Sequence, residues 1–262
     1  MPETPIFRAL EDALRSRRAV ALATVIEGPH TGSKLLVERG AAARGTLGDS
    51  GLDTVVERDA LADLDAGTSA TRMYGDRGEA GGQDVSVFVE AFAPPPLMVI
   101  FGAVDFAASL ANVAKVIGYR VVVCDARTTF ATTQRFPMAD EIVTTWPDRY
   151  LSSIGDTLGP RDAVCVLTHD HKFDVPAIAV ALRTQVGYLG VLGSRRTHER
   201  RRALLAEAGV DEAAMLRLRA PIGLDIGSRT PGEMAVAICA EIVAARSGRN
   251  GKPLRETDGA IH

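Results

Sequence analysis

Between Leu97 and Arg127 the chain reads LMVIFGAVDFAASLANVAKVIGYRVVVCDAR, and this stretch limits what the rest can become. An apolar run, Leu97–Phe101, stops at Gly102. A segment of helical period follows, and a second apolar run, Tyr119–Cys124, closes on Asp125. Strand, turn, helix and strand, with a carboxylate at the second strand's end, is the layout of a dinucleotide-binding βαβ unit. In the pattern G-x-G-x-x-G/A, Gly102 and Ala107 fall in place, but Val104 stands where the middle glycine would let the backbone approach a pyrophosphate. Asp105 adds negative charge at the same turn. Asp125 is a candidate acceptor for ribose hydroxyls and Arg127 a candidate for a 2′-phosphate, against the equal alternative of a solvated strand end.

The same rhythm continues downstream. Strands are expected at 97–101, 119–124, 141–145, 163–167 and 187–192. Helices are expected at 104–117, 147–157, 173–184, 195–209, 211–217 and 231–246. Thr230 as N-cap and Pro231 in the first turn mark the start of the last helix. Strands alternating with helices of this length imply a parallel sheet covered on both faces. Upstream the character differs. A short amphipathic helix at 6–18 is followed by strand-like 19–27, 33–38 and 43–47, a helix over 52–64, and strands at 68–74 and 85–92. Val85, Val87 and Val89 lie on one face of the last of these, with Ser86, Phe88 and Glu90 on the other. The fold class is therefore α/β: a Rossmann-like parallel sheet at 97–247, preceded by a small α+β domain with an antiparallel sheet at 1–92. Pro94-Pro95-Pro96 stiffens the linker at 93–96, and 248–262 reads as a mobile polar tail.

Composition removes several function classes. A net charge of −3 gives no basic face for a nucleic acid, and no apolar run approaches the length of a bilayer span. The first residues, MPETPIFRALEDALRSRR, lack the apolar core of a secretory signal, which makes the cytoplasm the default location. Cys124, Cys165 and Cys239 lie in apolar runs with no C-x-x-C spacing, so they read as buried, unreactive thiols.

Ligands of open parallel sheets bind at the carboxyl ends of the strands, near the point where strand order reverses. The distinctive residues fall there. Thr168-His169-Asp170-His171, with Asp174 one turn on, gathers two imidazoles and two carboxylates that suit a bound heterocycle or, less well, a metal held by His169 and His171. A polar helix-capping loop is the plain alternative. Gly193-Ser194-Arg195-Arg196 opens a basic helix and suits an anion, through backbone N–H groups and guanidinium forks. Arg200–Arg202 read as a solvated face of that helix. Ile222–Pro231 carries glycines suited to unusual backbone angles and, in Asp225, a carboxylate within an apolar run.

Four of these motifs occur together and in order: Arg135-Phe136-Pro137, Thr168–Asp174, Leu192–Arg196, and Pro221–Gly227 followed by Arg229-Thr230-Pro231. Together they resemble the XdhC/CoxI family of maturation proteins for molybdenum hydroxylases such as xanthine dehydrogenase and carbon monoxide dehydrogenase. The resemblance implies a Rossmann-like C-terminal domain that binds, protects or delivers the molybdenum cofactor to a client enzyme, without catalysis of its own, and a homodimer. It implies cofactor binding across Gly102, Asp125, Arg127, Thr168, His169, Asp170, His171, Asp174, Gly193, Ser194, Arg195, Arg196 and Asp225. The family's Gly-Ala-Gly-His turn is Gly102-Ala103-Val104-Asp105 here. Its N-terminal cysteine element corresponds to Gly48-Asp49-Ser50-Gly51, which has no cysteine. An NAD(P)-dependent oxidoreductase on the same fold is the second reading, and a metal-dependent hydrolase at Thr168–Asp174 the third.

Overall fold

The computed structural model describes residues 5–79 and 81–258. The ends of the expected N-terminal segment and tail, 1–4 and 259–262, lie outside the described residues. The chain divides into two compact units after Pro94.

In the first unit, α1 (Pro5–Arg15) leads into β1 (Val20–Glu27), β2 (Lys34–Glu38), β3 (Arg44–Thr46), α2 (Ser50–Ala66), β4 (Ala70–Tyr74) and β5 (Val85–Phe92). The strands form an antiparallel sheet in the order β3-β2-β1-β5-β4. Alternation decides its faces. Val85, Val87 and Val89 join Ala21, Ala23 and Val25 beneath Leu52, Val56 and Leu64 of α2. Val20 and Leu36 meet Ala9 and Ala13 of α1 on the opposite side. Asp49 caps α2 by accepting from the Gly51 and Leu52 amides, and Gly67 ends it in the left-handed conformation. The expected α+β unit with an antiparallel sheet is thus present.

The second unit runs β6 (Leu97–Phe101), α3 (Asp105–Val116), β7 (Arg120–Cys124), β8 (Glu141–Val143), α4 (Pro147–Ile154), β9 (Ala163–Val166), α5 (His171–Ala181), β10 (Tyr188–Val191), α6 (Arg195–Glu207), α7 (Glu212–Met215), β11 (Leu218–Arg219) and α8 (Pro231–Arg246). All strand pairs are parallel, in the order β11-β10-β9-β6-β7-β8. Strand β11 is new relative to the sequence reading, because two residues are too few to carry a periodic signal. A 3-10 turn at Leu254–Glu256 lies in the stretch expected to trail as a tail.

The near-continuous apolar strands are explained by burial on both sides. Met98 and Ile100 of β6 and Val121 and Val123 of β7 pack under α3 and α8. Val99, Phe101, Val164 and Val166 pack under α4, α5 and α6. Met98, Val99, Ile100 and Phe101 have no exposed surface, and each such side chain contributes roughly 1.5–3 kcal/mol by leaving water. The Thr230 hydroxyl accepts from the Glu233 amide while the Glu233 carboxylate accepts from the Thr230 amide, a capping box with Pro231 behind it. From β6 the chain builds outward through β7 and β8, then crosses back to β9, β10 and β11. Strand order therefore reverses between β6 and β9, where the two loops diverge and leave a crevice.

Candidate functional site

The crevice at that reversal has a volume of about 460 Å³. It is lined from the β6–α3 turn by Gly102 and Val104, from the end of β7 and the loop after it by Cys124, Asp125, Ala126 and Arg127, and from the start of α4 by Pro147. From the β9–α5 loop come Thr168, His169 and Asp170, and from the first turn of α5 Lys172 and Phe173. Six residues singled out from sequence thus meet in one place: Gly102, Asp125, Arg127, Thr168, His169 and Asp170.

Two loops approach closely at its floor. Gly102 has φ +102°, and a Cβ there would lie 2.7 Å from Thr168 Cγ2, so both backbone angle and space demand glycine. Its N–H donates to the Cys124 carbonyl at 3.0 Å. Val104 takes the N-cap position of α3 in extended conformation and gives no side-chain cap. Arg135 holds the same turn from outside. Its Nη1 donates to the Ala103 carbonyl at 3.0 Å and the Phe130 carbonyl at 3.2 Å, and its Nη2 reaches Asp105 Oδ1 at 3.2 Å. The Arg-Phe-Pro motif is therefore structural: Arg135 clamps the β6–α3 turn and Phe136 is buried beneath it.

Asp125 does not do what its position at a strand end suggested. Oδ1 accepts from the Arg127 amide and Nε, both at 2.9 Å; Oδ2 accepts from the Ala103 amide and Arg127 Nη2, both at 2.8 Å. Those four donors use the capacity of a carboxylate, leaving nothing for a ribose hydroxyl. Burial alone would raise the Asp125 carboxyl, but the Arg127 guanidinium and the Ala103 and Arg127 amides outweigh it and hold it below the usual carboxylate range. Arg127 is folded back by the same bonds and lies 4.5 Å over the Phe130 ring, which spends Nε and Nη2 on Asp125 while the side chain stays 45% exposed.

On the β9 side, Asp170 caps α5 by accepting from the Lys172 amide at 3.1 Å and pairs with Lys172 Nζ at 3.2 Å. Hydrogen bonding to the Lys172 amide, followed by the Lys172 ammonium, keeps Asp170 ionised below its ordinary pKa. His169 is exposed on the crevice wall, without a hydrogen-bond partner among the described residues. His171 lies at the first position of α5, its Nδ1 buried and unpartnered.

Asp174 is displaced from its expected role. It faces inward, fully buried, accepting from the Thr168 hydroxyl and from Arg201 Nη2 at 2.9 Å. Burial pushes its carboxyl above the ordinary value against the pull of Thr168 and Arg201. Arg201 corrects the reading of Arg200–Arg202 as a solvated face, because it is fully buried. It sits one helical turn from buried Leu205, on the inward stripe of α6, and that spacing was the available signal. Its Nη2 also donates to the Leu192 carbonyl at 3.3 Å, while Nε and Nη1 find no partner.

Gly193, Ser194, Arg195 and Arg196 stand at the end of β10, the neighbour of β9, outside the crevice lining. Ser194 caps α6, accepting from the Thr197 amide at 3.2 Å. Arg195 and Arg196 are exposed and make no ion pair among the described residues. Asp225 is exposed on the loop after β11, which is anchored where the Gly223 amide donates to Glu241 at 2.7 Å. No three His, Cys, Asp or Glu side chains among the described residues are grouped to hold a metal ion. All three cysteines are buried as expected, with burial raising the Cys124 and Cys239 thiols to about 12 and Cys165 well above its ordinary value. Sequence reasoning missed Lys172, Phe173, Pro147 and Cys124 as lining residues, since each reads as ordinary helix or strand filling. No helix among the described residues is long and apolar enough to cross a membrane.

The family model of the XdhC Rossmann domain matches residues 98–242. A Bacillus subtilis protein named as a probable xanthine dehydrogenase subunit is 33% identical over 63% of this chain and 47% of its own length. The Escherichia coli protein YqeB is 26% identical over 88% of this chain and 44% of its own. The Escherichia coli molybdenum cofactor insertion chaperone PaoD is 31% identical over 38% of this chain and 31% of its own. The matches thus span less than half of each of these relatives. Among solved structures, a Bacillus halodurans protein described as a xanthine dehydrogenase shares the fold at TM-score 0.53 and 20% identity, covering 94% of this chain and 97% of its own.

Proposed function

The chain belongs to the XdhC family, and from that premise we propose that it is a maturation factor that binds the molybdenum cofactor and hands it to a molybdenum hydroxylase of the xanthine dehydrogenase or carbon monoxide dehydrogenase type. The observation that carries this reading is the crevice itself. It lies inside the matched region, and the groups that would read a dinucleotide are spent or replaced: Asp125 is saturated and Val104 fills the middle glycine position. The cofactor is cargo. Its pterin end would lie over the floor that Gly102 and Thr168 form together, with His169 and Lys172 along its edge. Its phosphate would be met by exposed Arg195 and Arg196 and by the amides at the start of α6, an anion-favouring helix end. Asp125, Asp174 and Arg201 shape the loops without touching cargo.

The names of the Bacillus subtilis and PaoD relatives support the pathway, and both a client enzyme and self-association belong to the same reading. The test is transfer. Cofactor-loaded protein is mixed with cofactor-free client enzyme, and client turnover is followed. Recovery that falls when Arg195 and Arg196 are changed to Ala is expected. Nicotinamide binding coupled to substrate turnover, with no affinity for the cofactor, would overturn the proposal in favour of an oxidoreductase.

A further inference from the structure

Trp146, the single tryptophan of the chain, stands immediately before α4 with 41% of its surface exposed. Neither capping nor the core accounts for it. As N-cap of α4 it gives no side-chain hydrogen bond, whereas cap positions favour short polar residues. The buried residues of α4 are Pro147 and Leu151, and the indole stays outside them. Its N–H has no partner among the described residues. What the indole does touch is Phe173, with ring centroids 4.8 Å apart and planes tilted by 44°. Phe173 and Pro147 both line the crevice, and Lys172 Nζ lies 4.8 Å from the Phe173 ring centroid. The crevice floored by Gly102 and Thr168 thus has Phe173 in its wall, beside Lys172 and the unpaired imidazole of His169, and Trp146, outside the lining itself, extends that aromatic surface through its contact with Phe173.

We propose that Trp146 and Phe173 form a stacking shelf for a planar bicyclic heteroaromatic ring, a pterin or a purine, and so select ligands by ring shape. A tryptophan left 41% exposed gains by covering a second flat ring, and stacking of this kind tolerates several ring types while polar neighbours read the edges. His169, as donor or acceptor, and Lys172, as donor, lie on the same wall to do so. This deepens the cofactor-delivery reading and rests on it only for the identity of the ring.

The experiment is calorimetric titration of the full chain with the molybdenum cofactor, a free pterin, guanosine monophosphate and inorganic phosphate, with tryptophan emission followed in parallel. Ring-bearing ligands are expected to change Trp146 emission and inorganic phosphate to leave it unchanged. Trp146→Leu is expected to weaken the ring-bearing ligands roughly tenfold, the scale of one base–aromatic stack, and to leave phosphate binding unaltered. Trp146→Phe should restore most of the affinity, and Phe173→Leu supplies a second variant, each checked for native circular dichroism. Wild-type affinity in both leucine variants overturns the shelf. If the cofactor binds without dependence on Trp146, the shelf falls and the delivery reading stands. If guanosine monophosphate binds through Trp146 and the cofactor does not, the shelf stands and the delivery reading falls. If no ring-bearing ligand binds, both fall.

Discussion

Removing the charge at Asp174 and removing the charge at Arg201 should have different consequences, although the two form one ion pair. Both side chains have no exposed surface, joined by a 2.9 Å bond, and Asp174 also holds the Thr168 hydroxyl at the crevice floor. Asp174→Leu strands a guanidinium that cannot deprotonate, with Nε and Nη1 already unpartnered. Breaking a buried pair from one side costs about 3–5 kcal/mol, which for a chain of this size is roughly 6–20 °C in Tm. Arg201→Met strands a carboxyl instead, and a carboxyl can escape by taking a proton. Without the guanidinium its folded-state pKa rises further above the unfolded value near 3.9. The native state then binds the extra proton, so stability is gained as pH falls toward that window and lost as pH rises through the folded pKa. Urea unfolding at pH 7 and pH 5 reads the difference: the Arg201→Met deficit should shrink at pH 5, and the Asp174→Leu deficit should persist. The double variant, which leaves no stranded charge, should recover most of the loss, giving a coupling energy of about 3 kcal/mol or more. Single deficits below about 1 kcal/mol, or a double variant as poor as the sum of the singles, would refute the reasoning.

Three further outcomes are expected. Gly102→Ala places a Cβ 2.7 Å from Thr168 Cγ2 at φ +102°, and should cost ~2 kcal/mol in denaturant unfolding and abolish ligand binding in the crevice; wild-type stability would contradict the close approach. Asp125→Asn should destabilise fully at pH 7 and progressively less as pH falls below about 4, because a carboxyl held below its ordinary range loses its contribution when protonated. A penalty constant down to pH 2 would show that the clamp on Ala103 and Arg127 is not electrostatic. Glu241→Ala leaves both the Tyr188 hydroxyl, now 2.5 Å from the carboxylate, and the Gly223 amide without an acceptor, so roughly 2–4 kcal/mol should be lost, while Glu241→Gln keeps much of it.

The fold was legible where punctuation and period coincide. The three prolines before Leu97, the apolar run that stops at Gly102 and the Thr230-Pro231 helix start each leave few conformations open, and β5, β6 and α8 fall on the expected residues. The crevice was legible as a location, because strand ends can be counted, but the contacts its residues make with one another were not. Asp125 and Arg127 are two residues apart in sequence, yet only the turn of the chain aims the guanidinium back at the carboxylate and consumes it. Arg201 was hidden by its neighbours: in a run of arginines, one inward position looks like its solvated companions, and its partner Asp174 is 27 residues away. Trp146 and Phe173 are likewise distant in sequence, and only the packing of α4 against α5 makes them a wall. The motifs gave the family without saying which of these residues line the crevice.

The central claim is that the crevice between β6 and β9 carries the molybdenum cofactor. The most direct measurement is retention: the full chain is incubated with the cofactor, passed through gel filtration, and its bound pterin and molybdenum are quantified beside a His169→Ala/Lys172→Ala variant whose fold is verified. Stoichiometric retention by the wild type, lost in the variant, is the predicted result. No retention by the wild type, or equal retention by the variant, would contradict it.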